Sequence, residues 1–460
     1  MWSQRMKHLR TYSLLLLMLF GMVACTMVEP RSADNASESQ PASALEESVD
    51  QPQLAEGTDA PQPAEGTAVP KAAAAEDDTA DKPIVPQATP AAKAPASDDS
   101  DTVKLGYHYR PPSDDTKASK LADKVSFIVL SKNDEDYRDR IRKAGYEGPI
   151  LQYIMANEVD GPPDIQPGDW CDDDHNPWQN QVANKVGEFC DLIHPNEDWF
   201  LHNGKGERLY GMNEDRYFYR MNPASEGWRE FAVERLKEYL HGNEKVEPLG
   251  YDGFFFDNVE LSMRKSLNEV GNSDGKLKEY RSEREFRKAW QGWLRFMRNR
   301  LGSDTPLWAN LITPNHTADD WNDYLPYLDG VMNEAFVTGY DWPLNSKAQT
   351  NELKQVEYAL SQGKGVYAVS QGKEDDTSKQ KFALASYLLV MQPDAPNYFR
   401  YTRASGKYDE WWSYDNYDVK LGQPLGPRYA IKNGWRRDFS NGYVTVDQKS
   451  RKGKIVQNDR

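Results

Sequence analysis

Across 460 residues the chain has only 3 cysteines and 7 histidines. Two or three thiols cannot supply the dense disulfide scaffold of a small secreted domain. Cys171 and His175 lie close together, but no Cys or His spacing repeats as a zinc pair would. Also missing are a serine nucleophile elbow, a glycine-rich phosphate loop and a His-Glu-x-x-His helix. Cofactor chemistry therefore has no support, and no metal is expected. Positive charge is short as well: 56 Lys and Arg face 72 Asp and Glu, a net charge of −16. That balance argues against nucleic acid as a partner, because neutralising phosphates needs clustered cations.

What is present begins with a leader. Arg5, Lys7 and Arg10 precede an apolar run from Leu14 to Phe20, which ends in Met22-Val23-Ala24-Cys25. A basic start, a short apolar middle and a small residue before the cleavage point describe a secretory signal over 1–24, too short for a good membrane span. The Val-Ala-Cys ending resembles the bacterial lipobox, with Met22 where leucine is most usual. The resemblance implies cleavage before Cys25 and lipidation of its sulfur, hence an exported protein anchored in the cell envelope. An ordinary cleaved signal and an uncleaved anchor are the alternatives. Residues 25–100 are Ala, Pro, Glu, Asp, Ser and Thr with almost no aromatics. Such a stretch cannot bury enough apolar surface to offset its ordering entropy, so it reads as a disordered tether. As a flexible coil it would reach roughly 50 Å. With Cys25 assigned to the lipobox, Cys171 and Cys190 suggest one disulfide across the segment between them; two unpaired thiols are the alternative.

The folded part is organised around residues 249–260, Leu-Gly-Tyr-Asp-Gly-Phe-Phe-Phe-Asp-Asn-Val-Glu. An apolar run of this length between turn residues fits a strand buried on both faces. Alternation puts Gly253, Phe255 and Asp257 on one face and Phe254 and Phe256 on the other. An ionised Asp is costly in an apolar core, and the open carboxyl end of a barrel accommodates it. Strands are expected at 104–109, 125–130, 149–155, 249–260, 306–311, 328–335, 365–370 and 397–401, with helices at 134–144, 223–240, 281–301, 351–362 and 380–391. Ser225 is the expected N-cap of the second helix and Gly242 its terminator. Residues 157–221 read as a long excursion without regular structure, the kind of loop that is usually functional. Eight short apolar strands alternating with helices predict a (β/α)8 TIM barrel over 101–403. A small β-rich appendage follows over 404–460, and a monomer is expected.

Candidate chemistry lies at the strand ends. Asp257 ends the fourth strand and Glu334 the sixth, each four residues past an Asp-Gly pair. Paired carboxylates facing a cleft are what glycosidic cleavage needs, one as proton donor and the other as nucleophile or base. Asp252 and Asp329, at the strand starts, fall on the opposite, structural face. Glu260, expected in the following loop, competes with Asp257 and is a candidate substrate contact. His108, Tyr109, Tyr153, Asn258, Asn310 and Gln371 are further candidate sugar contacts, since rings, amides and hydroxyls suit a sugar's apolar face and hydroxyl edge. Ser131, Lys132, Asn157, Glu158 and Ser370 share that rim. Trp170, Trp178, Trp199 and Trp342 either line the cleft or plug local cores.

The Gly-x-Asp-Gly-x-x-x-Asp-Asn strand at 250–258 resembles the uncharacterised glycosyl-hydrolase-like family fifteen of bacterial genomes. Three further stretches are similar to it: His194–Asp198 with Trp199-Phe200, Met221-Asn222-Pro223, and Leu421-Gly422-x-Pro-Leu-Gly with Trp435-Arg436-Arg437-Asp438-Phe439. The resemblance spans roughly 104–456 and implies a barrel glycosidase. A looser similarity to the α-galactosidase-like clan implies Asp257 as nucleophile, Glu334 as acid/base and retention of configuration. The chitinase pattern fits worse: Phe255 replaces its middle Asp and Glu260 stands one residue late, against a substrate-assisted mechanism. The first reading is thus a surface-tethered glycoside hydrolase acting on an extracellular glycan. The alternatives are a lipoprotein that binds carbohydrate on a degenerate barrel, or a deacetylase-type hydrolase, which would need a metal site the histidines do not supply.

Overall fold

Apolar runs bounded by glycine and proline become the strands, and eight of them close on one another. The computed structural model describes residues 103–113, 116–172, 176–213, 216–312, 316–340, 343–403 and 408–458. The expected signal (1–24), Cys25, the tether (25–100), His175 and Trp342 lie outside the described residues. Every described residue falls within one compact unit, Lys82–Arg460.

In chain order the strands are β1 (Gly106–Tyr107), β2 (Phe127–Leu130), β3 (Ile150–Met155), β4 (Glu158–Gly161), β5 (Tyr210–Asn213), β6 (Arg216–Arg220), β7 (Gly253–Glu260), β8 (Leu307–Ile312), β9 (Gly330–Asn333), β10 (Gly365–Gly372) and β11 (Asn397–Arg403). A parallel sheet runs β1-β2-β3-β7-β8-β9-β10-β11, and a parallel bridge from Leu105 to Phe399 closes it. This is a (β/α)8 barrel. Helix Glu226–His241 starts at Ser225, whose side chain accepts from the Trp228 N–H, and ends at Gly242 with φ 67°, as expected of those caps.

Two apolar layers sort by strand alternation. Phe254 and Phe256 face the outer helices, where Phe256 meets Trp293 edge to face at 4.9 Å. Phe255 faces the barrel interior with Phe127, Trp308 and Tyr398. Trp308 plugs the amino-terminal end of that interior. A Cβ on Gly330 or Gly365 would lie 2.4 or 2.3 Å from its indole, so the ring fits because those two strands begin with glycine. The amino-terminal end is therefore filled, and the carboxyl end holds the polar groups.

The segment from 157 to 221, expected to lack regular structure, contains a three-stranded antiparallel sheet of order β4-β6-β5. Its apolar signal is masked because ion pairs hold it: Glu158 pairs with Arg220 and Asp160 with Arg216 across β4 and β6. A disulfide joins Cys171 to Cys190 with Cα atoms 5.3 Å apart.

After the barrel come β12 (Tyr429–Ile431), β13 (Gly434–Phe439), β14 (Gly442–Asp447) and β15 (Lys452–Gln457), one antiparallel sheet. It packs on helix Thr377–Val390, where a Cβ on Gly453 would meet the Lys381 carbonyl at 2.5 Å. Buried Arg437 donates to the Leu388 and Met391 carbonyls at 3.2 and 2.6 Å, filling the acceptors that a helix end leaves open.

Candidate active site

The site stands at the carboxyl ends of β7, β8 and β9. Along β7 the register against β8 shifts between Phe256 and Val259, and Asn258 sits at φ 55°. This is a β-bulge with its extra residue in the left-handed region, which asparagine tolerates better than most. Phe256 and Val259 both pack in the outer layer, so the bulge leaves Asp257 at the barrel mouth. It also brings Glu260 back to the mouth. Glu260 is thus not in a following loop: it is the last residue of β7, and it is buried.

Asn310 on β8 lies between the two carboxylates. Its Nδ2 donates to Asp257 Oδ1 at 2.9 Å and to Glu334 Oε2 at 2.8 Å. Two oxygens on one amide nitrogen lie no further apart than the sum of those lengths. The two carboxyl groups therefore face one another across a single amide. Asp257 also accepts from the Asn258 N–H at 2.8 Å and from the Tyr153 hydroxyl. Glu334, one residue past β9, accepts from the Tyr340 hydroxyl at 2.9 Å and from the Tyr408 hydroxyl. Gln371 Nε2 donates to the Tyr408 oxygen at 2.8 Å and to the Glu334 carbonyl at 3.2 Å.

Burial, and then the nearby Asp257 charge, push the Glu334 carboxyl above the usual carboxylate range, while the bonds from Tyr408, Tyr340 and Asn310 pull it back. Burial and the adjacent carboxylates push the Tyr153, Tyr340 and Tyr408 phenols upward. All three therefore stay protonated and donate.

The other expected residues divide. Tyr109 stacks on Tyr153 at 4.5 Å and joins the site. His108 does not touch the carboxylates. It is buried, its Nδ1 lies 2.9 Å from the Tyr367 hydroxyl, and its ring packs 4.6 Å from Tyr408. Burial, with Arg400 beside it, holds the imidazole well below its usual range and so neutral. Glu260 lies apart from the pair, accepting from Asn157 Nδ2 at 2.8 Å and Ser266 Oγ at 3.4 Å, with Lys265 Nζ 3.9 Å away. Lys265 Nζ in turn donates to Asn258 Oδ1 at 3.1 Å.

Several rim residues bond within the fold. Ser131 Oγ donates to the Tyr109 carbonyl at 3.3 Å and Ser370 Oγ to the Phe336 carbonyl at 2.7 Å. Lys132 bonds Gln179 and Asn184, and Glu158 is spent on Arg220. Trp199 packs on Trp228 and Phe231. Trp170 is exposed on the surface. Half-buried Trp178 lines a cavity of about 810 Å³ that also reaches Asn310 and Glu334. Among the described residues no group of three or more His, Cys, Asp or Glu is arranged to hold a metal ion.

Sequence reasoning missed Tyr340, Tyr408 and Arg400. Tyr408 is 74 residues from Glu334 and follows the last barrel strand, in a stretch read as part of the appendage. Buried Arg400 brings it in, donating to the carbonyls of His108 and Tyr408, the latter at 2.6 Å.

A family model described as hypothetical glycosyl hydrolase family 15 matches residues 172–443. The chain belongs to that family. Membership in this glycosyl hydrolase family makes its chemistry that of a glycosidase and its substrate a carbohydrate. No curated protein matches the chain in sequence. Among solved structures, the glycoside hydrolase domain of PelA from Pseudomonas aeruginosa is similar at 13% identity, covering 69% of this chain and 98% of that one with a TM-score of 0.40. An α-galactosidase from Thermus thermophilus is similar at 11% identity, over 77% and 67%, with a TM-score of 0.37. A xylosidase from Aspergillus niger gives 11% identity, 68% and 45%, and a TM-score of 0.38.

Proposed function

We propose that this family member is a retaining glycoside hydrolase, tethered to the cell envelope, that cleaves an extracellular poly- or oligosaccharide with Asp257 and Glu334. The carrying observation is the single Asn310 amide that donates to both carboxylates. Glu334 donates its proton to the glycosidic oxygen as that bond breaks, and Asp257 Oδ attacks the anomeric carbon to form a glycosyl ester. Glu334, now ionised, takes a proton from water as the water displaces Asp257. The upward push on Glu334 by burial and Asp257 suits a group that must begin protonated. Forming the ester removes the Asp257 charge, which lowers Glu334's proton affinity when it must act as base. The tether rests on the basic-apolar leader and Cys25.

Azide rescue separates the roles. Glu334→Ala with azide should regain turnover and yield a glycosyl azide of the substrate's configuration, whereas Asp257→Gly should yield the inverted azide. Wild-type products of inverted configuration, followed by NMR during the first turnovers, would overturn retention.

A further inference from the structure

The cavity beside the carboxylates extends well past the space one sugar ring needs. It runs from Asn310, Glu334 and Tyr340 over the ends of β7 and β9 to Met212, Phe218 and Trp178 of the inserted segment. At about 810 Å³ it lies in the upper range of small-molecule sites. Glu334 lines it, as do Asn258 and Asn310, which bond Asp257. A sugar chain lying across the two carboxylates would therefore run on into it.

Its far wall is aromatic. Trp178 is half-buried, its ring 4.8 Å from that of Phe218, and Arg216 stacks 5.6 Å away. Its backbone is fixed as well, since the Trp178 N–H donates to Asp160 Oδ2 at 3.1 Å. A ring held this way gives a sugar's apolar face a rigid surface at little entropic cost. The floor between is ionic: Glu158, Glu269 and Glu260 face Arg220 and Lys265. Arg220 and Lys265 are matched to carboxylates there, whereas Arg264, which also lines the cavity, has no carboxylate partner among the contacts described.

Building on the retaining reading above, we propose that the inserted segment forms a distal sugar subsite ending on Trp178, so that the enzyme cuts within chains. The β4–β6 sheet and its disulfide-linked flank then serve specificity, while the barrel performs the chemistry.

The test uses the full-length protein, cello-oligosaccharides, dextran, chitosan and alginate, and aryl glycosides of the same sugars. Trp178→Ala should lower the ratio of kcat/KM on oligomers to kcat/KM on the aryl glycoside by about ten-fold or more, and Trp178→Phe should restore most of it. Thermal melts of both variants check that the fold is kept. An unchanged ratio overturns the subsite, as does wild-type cleavage of aryl glycosides with none of any oligomer or polymer. Cleavage of nothing in either set removes the hydrolase reading itself.

Discussion

Strands β7 and β9 each carry an acid at both ends, and the two ends behave differently. At the amino end Asp252 accepts from the Ile150 N–H at 2.7 Å and from Arg142 at 2.6 Å. Asp329 repeats the arrangement, accepting from the Leu307 N–H at 2.8 Å and from Arg298 at 2.6 Å. Each clamps the first residue of the neighbouring strand and an arginine from an outer helix. At the carboxyl end Asp257 and Glu334 receive no arginine among the contacts described. They are held by neutral donors, Asn310 and three tyrosines. An arginine would lock a carboxylate as an anion. Phenols and amides orient it and leave it able to change protonation state, so the same residue type builds scaffold at one end and reactivity at the other.

The largest expected effect comes from breaking the upper pair. Asp257→Asn and Glu334→Gln should each lower kcat by about 10²–10⁴-fold, with little change in Tm, because their partners are neutral donors. Turnover on the natural glycan, once found, and calorimetric melting measure both quantities. Breaking the lower pair should do the reverse. Asp252→Asn or Asp329→Asn leaves a strand-initiating N–H and an arginine poorly matched, costing about 1–2 kcal/mol of stability. Urea unfolding reads that loss, and activity per folded molecule should stay within a factor of about two.

Tyr408→Phe sharpens the contrast at the upper end alone. The lost bond favoured the ionised form of Glu334, so its pKa rises further and the alkaline limb of the pH–rate profile moves to higher pH. The rate should fall about ten-fold, typical of losing one bond worth ~1.4 kcal/mol to a charged group. A profile that does not move would assign Tyr408 to packing only.

The smallest effect lies in the inserted segment. Burial works against ionised Glu197, but bonds from His202 and Arg208 win and hold it down to about 2. A depressed carboxylate contributes stability above its unfolded value and loses it as pH falls through the folded one. The segment should therefore loosen between about pH 4.5 and 2, and Glu197→Gln should flatten that dependence. Hydrogen exchange across the segment would follow it.

The barrel was legible because burial on both faces writes continuous apolar runs such as Phe254-Phe255-Phe256 into the chain. The carboxylates were legible because each follows Asp-Gly at the same spacing. The β4–β6 sheet was hidden because ion pairs, rather than alternating apolar residues, stabilise it. Glu260 was misplaced because one left-handed residue, Asn258, resets the alternation, and nothing in local composition marks a bulge. Tyr408 was missed because a carbonyl contact from Arg400, not sequence proximity, brings it to Glu334.

The most direct measurement is reducing-sugar release from a panel of bacterial and plant polysaccharides by the full-length protein beside Asp257→Asn and Glu334→Gln. Release by the wild type, lost in both variants while their folds remain intact, is the predicted result. Release that survives in Asp257→Asn would move the chemistry to another carboxylate, Glu260 first, and contradict the assigned pair.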